Sequence, residues 1–310
     1  MSILGDRILA QRKSSSVQLT KIPAPDFDLA MTLDSGQVFH WEKSGHGLVG
    51  TIGERAVYVE QGQNSLLSSC GEQLAGHYFA LDHPLAEICA SFPDDPAMNA
   101  ASEFCRGLRI IRQPKWECLA TFICSSMKQV AHIRQISQRL RERFGEARKI
   151  NNHIVYLFPS GERIATASEK DLLECALGYR AKNLLATAQV IARGDVDLKT
   201  LAKLSDVDLR ARLCGLPGVG AKVANCVMLF AYERLRAFPI DVWIERVLRE
   251  KYFPRARRLN AARLRAFTEK YFGEHGGYAQ QYLFHHARMS KTKIKRKRKS
   301  RGFVTPSGVR

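Results

Sequence analysis

The segment Leu216-Pro-Gly-Val-Gly-Ala-Lys222 constrains the fold of this 310-residue chain more than any other. Gly218 and Gly220 permit backbone angles and close approaches that a side chain would block, so two helices can pack across a tight hairpin. The second helix then starts with free backbone N–H groups at the positive end of its dipole. Such a start is an anion site suited to a backbone phosphate, and it reads no base. Gly218, Gly220 and Val223 are therefore expected at a phosphate. Lys222 has two readings at this point, as a charge that neutralises the phosphate or as a reactive amine.

Nineteen residues on, Pro239-Ile-Asp241-Val-Trp243 opens a second apolar stretch, with Val242, Ile244, Val247 and Leu248 near helical spacing. Asp241 thus sits where an N-cap belongs, worth about 1 kcal/mol as a structural carboxylate. With a lysine at the hairpin, the pair also has the makings of an amine nucleophile and a carboxylate that stabilises developing positive charge.

Net charge is +18, which favours a polyanionic partner and salt-sensitive association but does not choose among DNA, RNA and an anionic membrane. The run Lys291-Thr-Lys-Ile-Lys-Arg-Lys-Arg-Lys-Ser-Arg301 holds eight basic residues and no acid, and 18 minus 8 still leaves +10 on the rest. The body is basic in its own right. The run is expected to be a disordered electrostatic arm, with a nuclear-import signal as the rival reading.

Eight cysteines show no compact disulfide spacing, and Cys124, Cys175 and Cys226 lie in apolar helical contexts, which points to buried free thiols in a reducing compartment. There is no CxxC pair, no HExxH pattern and no cysteine beyond Cys226 for a C-terminal iron–sulfur cluster. The chemistry is expected to need no metal and no cofactor. Neither a secretory signal nor a run of about eighteen apolar residues is present, so a soluble intracellular protein is expected, with no membrane partner.

Short β-like runs such as Gly47–Ile52 and Arg55–Glu60 give way after Glu103 to longer amphipathic segments: Trp116–Met127, Ala131–Phe144, Lys170–Ala176, Lys182–Arg193, Leu209–Leu213 and Ala221–Tyr232. A short extended segment is expected within 151–161. The fold class is α+β. Residues 1–16 read as a flexible N-terminus, 17–105 as an antiparallel sheet domain, 106–289 as a helical domain and 290–310 as the basic tail.

Five further strings occur in order: Leu33-Asp-Ser-Gly-Gln-Val-Phe-His-Trp41, Phe104-Cys-Arg-Gly-Leu-Arg-Ile-Ile-Arg-Gln113, Thr121-Phe-Ile-Cys-Ser-Ser126, Leu177-Gly-Tyr-Arg-Ala181 and Tyr278-Ala-Gln-Gln-Tyr-Leu-Phe284. Together with the hairpin they make residues 17 to 289 resemble the 8-oxoguanine DNA glycosylases with AP lyase activity, in the helix-hairpin-helix superfamily. The resemblance implies a two-lobed helical domain with the cleft between its lobes and the sheet domain beside it. It also implies a monomer acting on double-stranded DNA that contains oxidised guanine, in the cytoplasm or nucleoid of a bacterium or the nucleus of a eukaryote.

By the same resemblance Lys222 attacks C1′ of a flipped nucleotide, forming a Schiff base that permits β-elimination, and Asp241 stabilises charge on the sugar. The Gly36 carbonyl detects the N7–H of 8-oxoguanine, Gln280 reads the Watson–Crick edge, and Phe284 and Cys226 cover the two base faces. Tyr179, Arg180, Met127 and His132 face the gap and the opposite base, and Trp243 stands near a phosphate. Where better-known members carry three asparagines this chain has Met127-Lys128-Gln129. His132 replaces an arginine, and Trp243 a histidine. These departures imply weaker opposite-base selectivity. The alternatives are a glycosylase for alkylated or other modified bases in the same fold, and a noncatalytic damage-binding protein.

The basic tail generates a direct test. Deleting residues 291–310 should weaken binding to damaged and undamaged duplex by similar factors and flatten the salt dependence by about 0.9 for each phosphate that the tail neutralises. Binding isotherms over a salt series measure both, and an unchanged slope would show that the tail does not touch DNA.

Overall fold

The computed structural model describes residues 17–301, with side chains described to Ser290. The expectations placed on residues 1–16 lie outside the described residues. So do those on the tail's side chains and on residues 302–310.

The first body is a five-stranded antiparallel sheet. Its strands are β1 (Thr20–Pro23), β2 (Glu42–Ser44), β3 (Gly47–Ile52), β4 (Arg55–Gly62) and β5 (Ser65–Ser68), in the spatial order β1-β5-β4-β3-β2. Each chain-adjacent pair from β2 to β5 is a hairpin, with Val49 opposite Tyr58 and Gln61 opposite Leu66. Alternation in β4 turns Val57 and Val59 inward, where they meet Ile22, Leu33, Leu66, Tyr78 and Phe79. A two-residue period with one buried face is what selects this register.

The second body is helical. Its core joins Leu119, Ile123, Leu184, Leu209, Val227, Tyr278 and Tyr282. Helices Leu85–Ala90 and Pro96–Phe104 precede residue 106, yet their Leu85, Ile88, Met98 and Ala101 are buried in this helical core, against the last helix, Gly276–Arg301. Within 151–161 the extended segment is a strand of a small hairpin, β6 (Ala147–Ile150) with β7 (His153–Tyr156), turning at Asn151-Asn152 and lying against the large sheet.

One helix is shorter than its apolar pattern predicts. Instead of reaching Met127, it spans Lys115–Cys124. The Ser125 hydroxyl donates to the Phe122 carbonyl at 2.8 Å, and Met127 takes φ +53, a left-handed conformation that no helix interior accommodates. Hydrophobic periodicity cannot report such a stop, because Met127 is apolar whether buried or exposed. Helix Asp206–Cys214 runs further than expected at both ends, started by Ser205, whose hydroxyl accepts from the Asp208 amide, and helix Arg180–Ala192 starts two residues before the expected Lys182 and ends one before Arg193.

The bodies are joined by a buried charge network. Arg141 donates to the Thr51 hydroxyl and the Tyr156 carbonyl, each at 2.9 Å, and also to the Glu117 carboxylate. His40 Nδ1 lies 3.4 Å from the same Glu117 oxygen. Burial pushes Glu117 above the usual carboxylate range against the opposing pull of Arg141, while burial and Arg141 hold His40 well below the imidazole range. Replacing Arg141 with Met should therefore leave a buried carboxylate unpaired and cost about 3–5 kcal/mol. Urea unfolding checks this: the double variant Arg141→Met/Glu117→Met should recover most of the loss, which an interaction confined to packing would not do.

Candidate functional site

The hairpin places its lysine by packing on one side and openness on the other. Gly218 has φ +78, and a side chain there would put its Cβ 2.7 Å from that of Asn183, on helix Arg180–Ala192. Thr187 of that helix donates to the Pro217 carbonyl at 2.8 Å. Gly220 has open space beside it. It begins helix Ala221–Tyr232 without a side-chain cap, and its carbonyl accepts the Ala224 amide at 2.9 Å. The amides of Ala221, Lys222 and Val223 precede that first intrahelical bond, so they have no partner within the helix and point outward. Val223 contributes its backbone here, since its side chain is core.

Lys222, Cys226 and Phe230 follow at four-residue spacing and share one helix face. The Lys222 amine donates to the Ser125 hydroxyl at 3.1 Å, whose own proton is committed to Phe122. It lies 5.1 Å over the Phe122 ring, which in turn stacks on Phe230 at 5.4 Å. Burial pushes the Cys226 thiol up to about 11, with the nearby lysine opposing.

Asp241 caps helix Val242–Val247. Its Oδ1 accepts from Trp243 N at 3.0 Å and Ile244 N at 2.9 Å, while Oδ2 has no hydrogen bond among the described residues. Burial raises its pKa above the usual carboxylate range, opposed by the capping amides and the Lys222 cation.

The opposite wall comes from the sheet body and the last helix. Gly36, at φ +86, lies in a loop held on every side. The buried Gln37 amide donates to Ser35 Oγ at 2.9 Å and to the Arg109 carbonyl at 2.7 Å, and accepts from Ile111 N at 2.8 Å. Gln113 donates to the Gln37 carbonyl and Gln281 to the Ser35 carbonyl, each at 2.8 Å. Gln280 is 4% exposed, and its amide oxygen has no partner. A buried acceptor left unpaired costs about 1–3 kcal/mol, so a ligand donor explains its retention better than stability does. The Phe284 ring lies against Gly36: a Cβ there would meet its Cε1 at 3.1 Å.

Gly36, Phe122, Lys222, Cys226, Phe230, Pro239, Asp241, Gln280, Gln281 and Phe284 line one cavity of about 40 Å³. That is room for about three water molecules. The cavity thus brings together the six residues expected for catalysis and base recognition. Ser125, Phe122, Phe230, Gln37 and Gln281 are not singled out by the sequence reading. Phe230 was readable from the 222, 226, 230 spacing, and Gln37 from its place in the string around Gly36. Ser125 lies in the string ending at Ser126, but a serine inside the helix expected to reach Met127 gave no sign of contact with the lysine.

The remaining expected residues lie outside this cavity. Met127 is 94% and Tyr179 63% exposed, whereas Arg180 is buried with its guanidinium on backbone carbonyls. His132 is exposed in the first turn of helix Val130–Phe144. Trp243 is half-buried, with the Arg246 guanidinium 5.7 Å from its ring.

Comparison with known proteins gives two family matches, to the N-terminal domain of 8-oxoguanine DNA glycosylase over residues 19–119 and to the HhH-GPD superfamily of base excision DNA repair proteins over 120–271. The chain is 30% identical to the N-glycosylase/DNA lyase OGG1 of Arabidopsis thaliana, covering 85% of this chain and 78% of that protein. Identity to the N-glycosylase/DNA lyase of Saccharomyces cerevisiae is also 30%, with 83% and 82% covered. The Clostridium acetobutylicum 8-oxoguanine glycosylase/lyase, solved with duplex DNA containing cytosine opposite 8-oxoguanine, superposes with a TM-score of 0.82 at 29% identity, over 88% of this chain and 98% of that one.

The raised pKa of Asp241 fixes the sign of a prediction. Its folded-state value exceeds the unfolded one, so its contribution to stability is full below the unfolded pKa and is lost as pH rises through the folded value. Asp241→Asn keeps a capping acceptor and removes the buried charge. Thermal melts at neutral pH should show unchanged or higher stability, while single-turnover base release falls about 10²-fold or more. In the wild type, base release should lose its acid limb at a pH above the ordinary carboxylate range.

Proposed function

The chain belongs to the 8-oxoguanine DNA glycosylase family of the HhH-GPD superfamily, and from that premise we propose how its residues divide the work. It is a bifunctional DNA N-glycosylase and AP lyase that removes 8-oxoguanine from DNA. The single observation that carries the assignment of roles is the cavity itself: an amine, a carboxylate with one uncommitted oxygen and an orphaned amide oxygen line it together.

The duplex is held through its backbone at the hairpin, where the amides after Gly220 receive a phosphate and Trp243 flanks the next. The damaged nucleotide leaves the stack, at a cost of a few kcal/mol. Its base slides between Phe284 and Cys226. The Gly36 carbonyl accepts the N7–H that only the oxidised base carries. Unmodified guanine presents an acceptor there, and two facing acceptors leave both unsatisfied. Gln280 offers its amide oxygen to donors on the Watson–Crick edge.

Lys222 then leaves the Ser125 hydroxyl, and its uncharged amine attacks C1′. The C1′–N9 bond breaks, the electron pair leaves with the base, and the proton shed by the attacking nitrogen passes to that base. Asp241 stabilises the positive charge that develops on the sugar, its field undiluted by water. The secondary amine collapses to a protonated Schiff base as the ring C1′–O4′ bond opens and O4′ takes a proton from solvent. Loss of a C2′ proton then expels the 3′ phosphate. No cofactor enters this sequence.

The working unit is read as a monomer, as the family resemblance implies. Among the described residues no helix is long and apolar enough to cross a membrane. The substrate places the enzyme with the genome inside the cell.

Borohydride should trap a covalent complex between the wild-type protein and duplex containing 8-oxoguanine. Lys222→Gln should abolish trapping yet retain lesion binding in a mobility-shift assay. Trapping of the Gln variant at the wild-type level would move the nucleophile to another residue.

A further inference from the structure

The carbonyl proposed to test the base belongs to the most pliable residue of its loop. Gly36 has no Cβ and takes φ +86, so the peptide planes beside it can rotate at little steric cost. A carbonyl on such a residue keeps its aim only when the planes on either side of its own are held from outside. The plane before it carries the Ser35 carbonyl, which accepts from Gln281 Nε2 at 2.8 Å. The plane after it carries the Gln37 carbonyl, which accepts from Gln113 Nε2 at 2.8 Å.

The two clamps differ in what stands behind them. Gln113 has its own amide bound to the Phe230 carbonyl at 2.7 Å, which fixes the loop to the helix at the floor of the cavity. Gln281 is 3% exposed and lies on the last helix, Gly276–Arg301. Its chain neighbour Gln280 holds the unpaired amide oxygen, and Phe284, three residues on, lies against Gly36. Arg288 of the same helix also reaches the loop, but at Asp34, one peptide plane further from Gly36.

A purine is flat and rigid, so two acceptors that meet its two edges must stand at one fixed spacing. One of them, on Gly36, belongs to the sheet body, and the other, on Gln280, belongs to the last helix. We propose that Gln281 is a specificity-determining positioning residue, whose bond to the Ser35 carbonyl sets the spacing between the Gly36 and Gln280 acceptors so that both edges of an oxidised guanine are met at once. The inference rests on the base-recognition reading above. An abasic sugar presents no edge, so Schiff-base formation at a site already lacking its base does not call on the clamp.

Wild type, Gln281→Met and Gln281→Glu are compared in two single-turnover reactions: release of 8-oxoguanine from duplex, and strand cleavage at a preformed abasic site in the same sequence. Methionine keeps the length of glutamine and has no donor. Base release by Gln281→Met should fall about tenfold, as for the loss of one hydrogen bond, while abasic cleavage stays within about twofold of wild type. Glutamate adds a pH readout, because the neutral acid donates to the Ser35 carbonyl and the carboxylate cannot. Relative to wild type at each pH, the ratio of base release to abasic cleavage should rise as pH falls for Gln281→Glu and stay flat for Gln281→Met.

Equal slowing of both reactions would make Gln281 a packing residue and overturn the proposal. So would unchanged base release by Gln281→Met, or a glutamate variant whose ratio does not move with pH. Circular dichroism checks folding, and the glutamate series decides alone if the methionine variant does not fold. Abasic cleavage by the wild type without any release of 8-oxoguanine would instead remove the base-recognition reading on which the clamp rests.

Discussion

The buried amide of Gln37 is the interaction on which the site depends. A hairpin can place Lys222 and a helix cap can place Asp241, but both lie on the helical body. The wall proposed to distinguish one base from another belongs to a loop of the sheet body. Gln37 joins the two: it donates to the Arg109 carbonyl, accepts from Ile111, and has its own carbonyl bound by Gln113. Gln281 adds a bond from the last helix to Ser35. Gly36 lies between these anchors. A carbonyl in the role proposed for Gly36, testing for a single N–H, needs its position held to a fraction of a hydrogen-bond length, and a loop bonded only to solvent does not achieve that.

The same economy of position governs the proposed catalytic pair. Lys222 donates to Ser125, while its charge acts on Asp241 through space. The carboxylate keeps one oxygen on the capping amides and the other toward the cavity. Its burial makes the charged form costly, and that cost is the counterpart of its use, because a charge in a dry, preorganised site acts more strongly on a developing cation than the same charge in water. The apolar rings of Phe122 and Phe230 supply the dryness. Gln280 carries the same signature in neutral form, an acceptor left without a partner at the point where a base edge would lie.

Ser125 and Ser126 connect this cavity to the duplex side. The hydroxyl of the first receives the lysine, and the carbonyl of the second receives Arg180. One short turn thus serves both the nucleophile and the exposed methionine, so the helix could not run through to Met127 without losing either. This is a case of local regularity given up for position.

Much of the site was legible in the chain. The hairpin glycines require their conformations by sterics alone, Asp241 announces itself before an apolar-periodic run, and four-residue spacing puts Lys222 with Cys226 and Gln280 with Phe284. The strands from Gly47 to Glu60 follow from alternation. These features are local, and local sterics and periodicity determine them. The stop at Cys124, the burial of Arg180, the grip on Gly36 and the pairing of helices before residue 106 with the last helix were decided by tertiary structure. The last three depend on partners roughly fifty to two hundred and fifty residues away in the chain, such as Ser126 for Arg180, Gln281 for Ser35 or Tyr282 for Cys89. A buried polar group takes whichever partner folding brings to it, and a sequence read along its length carries the need for that partner but not its identity.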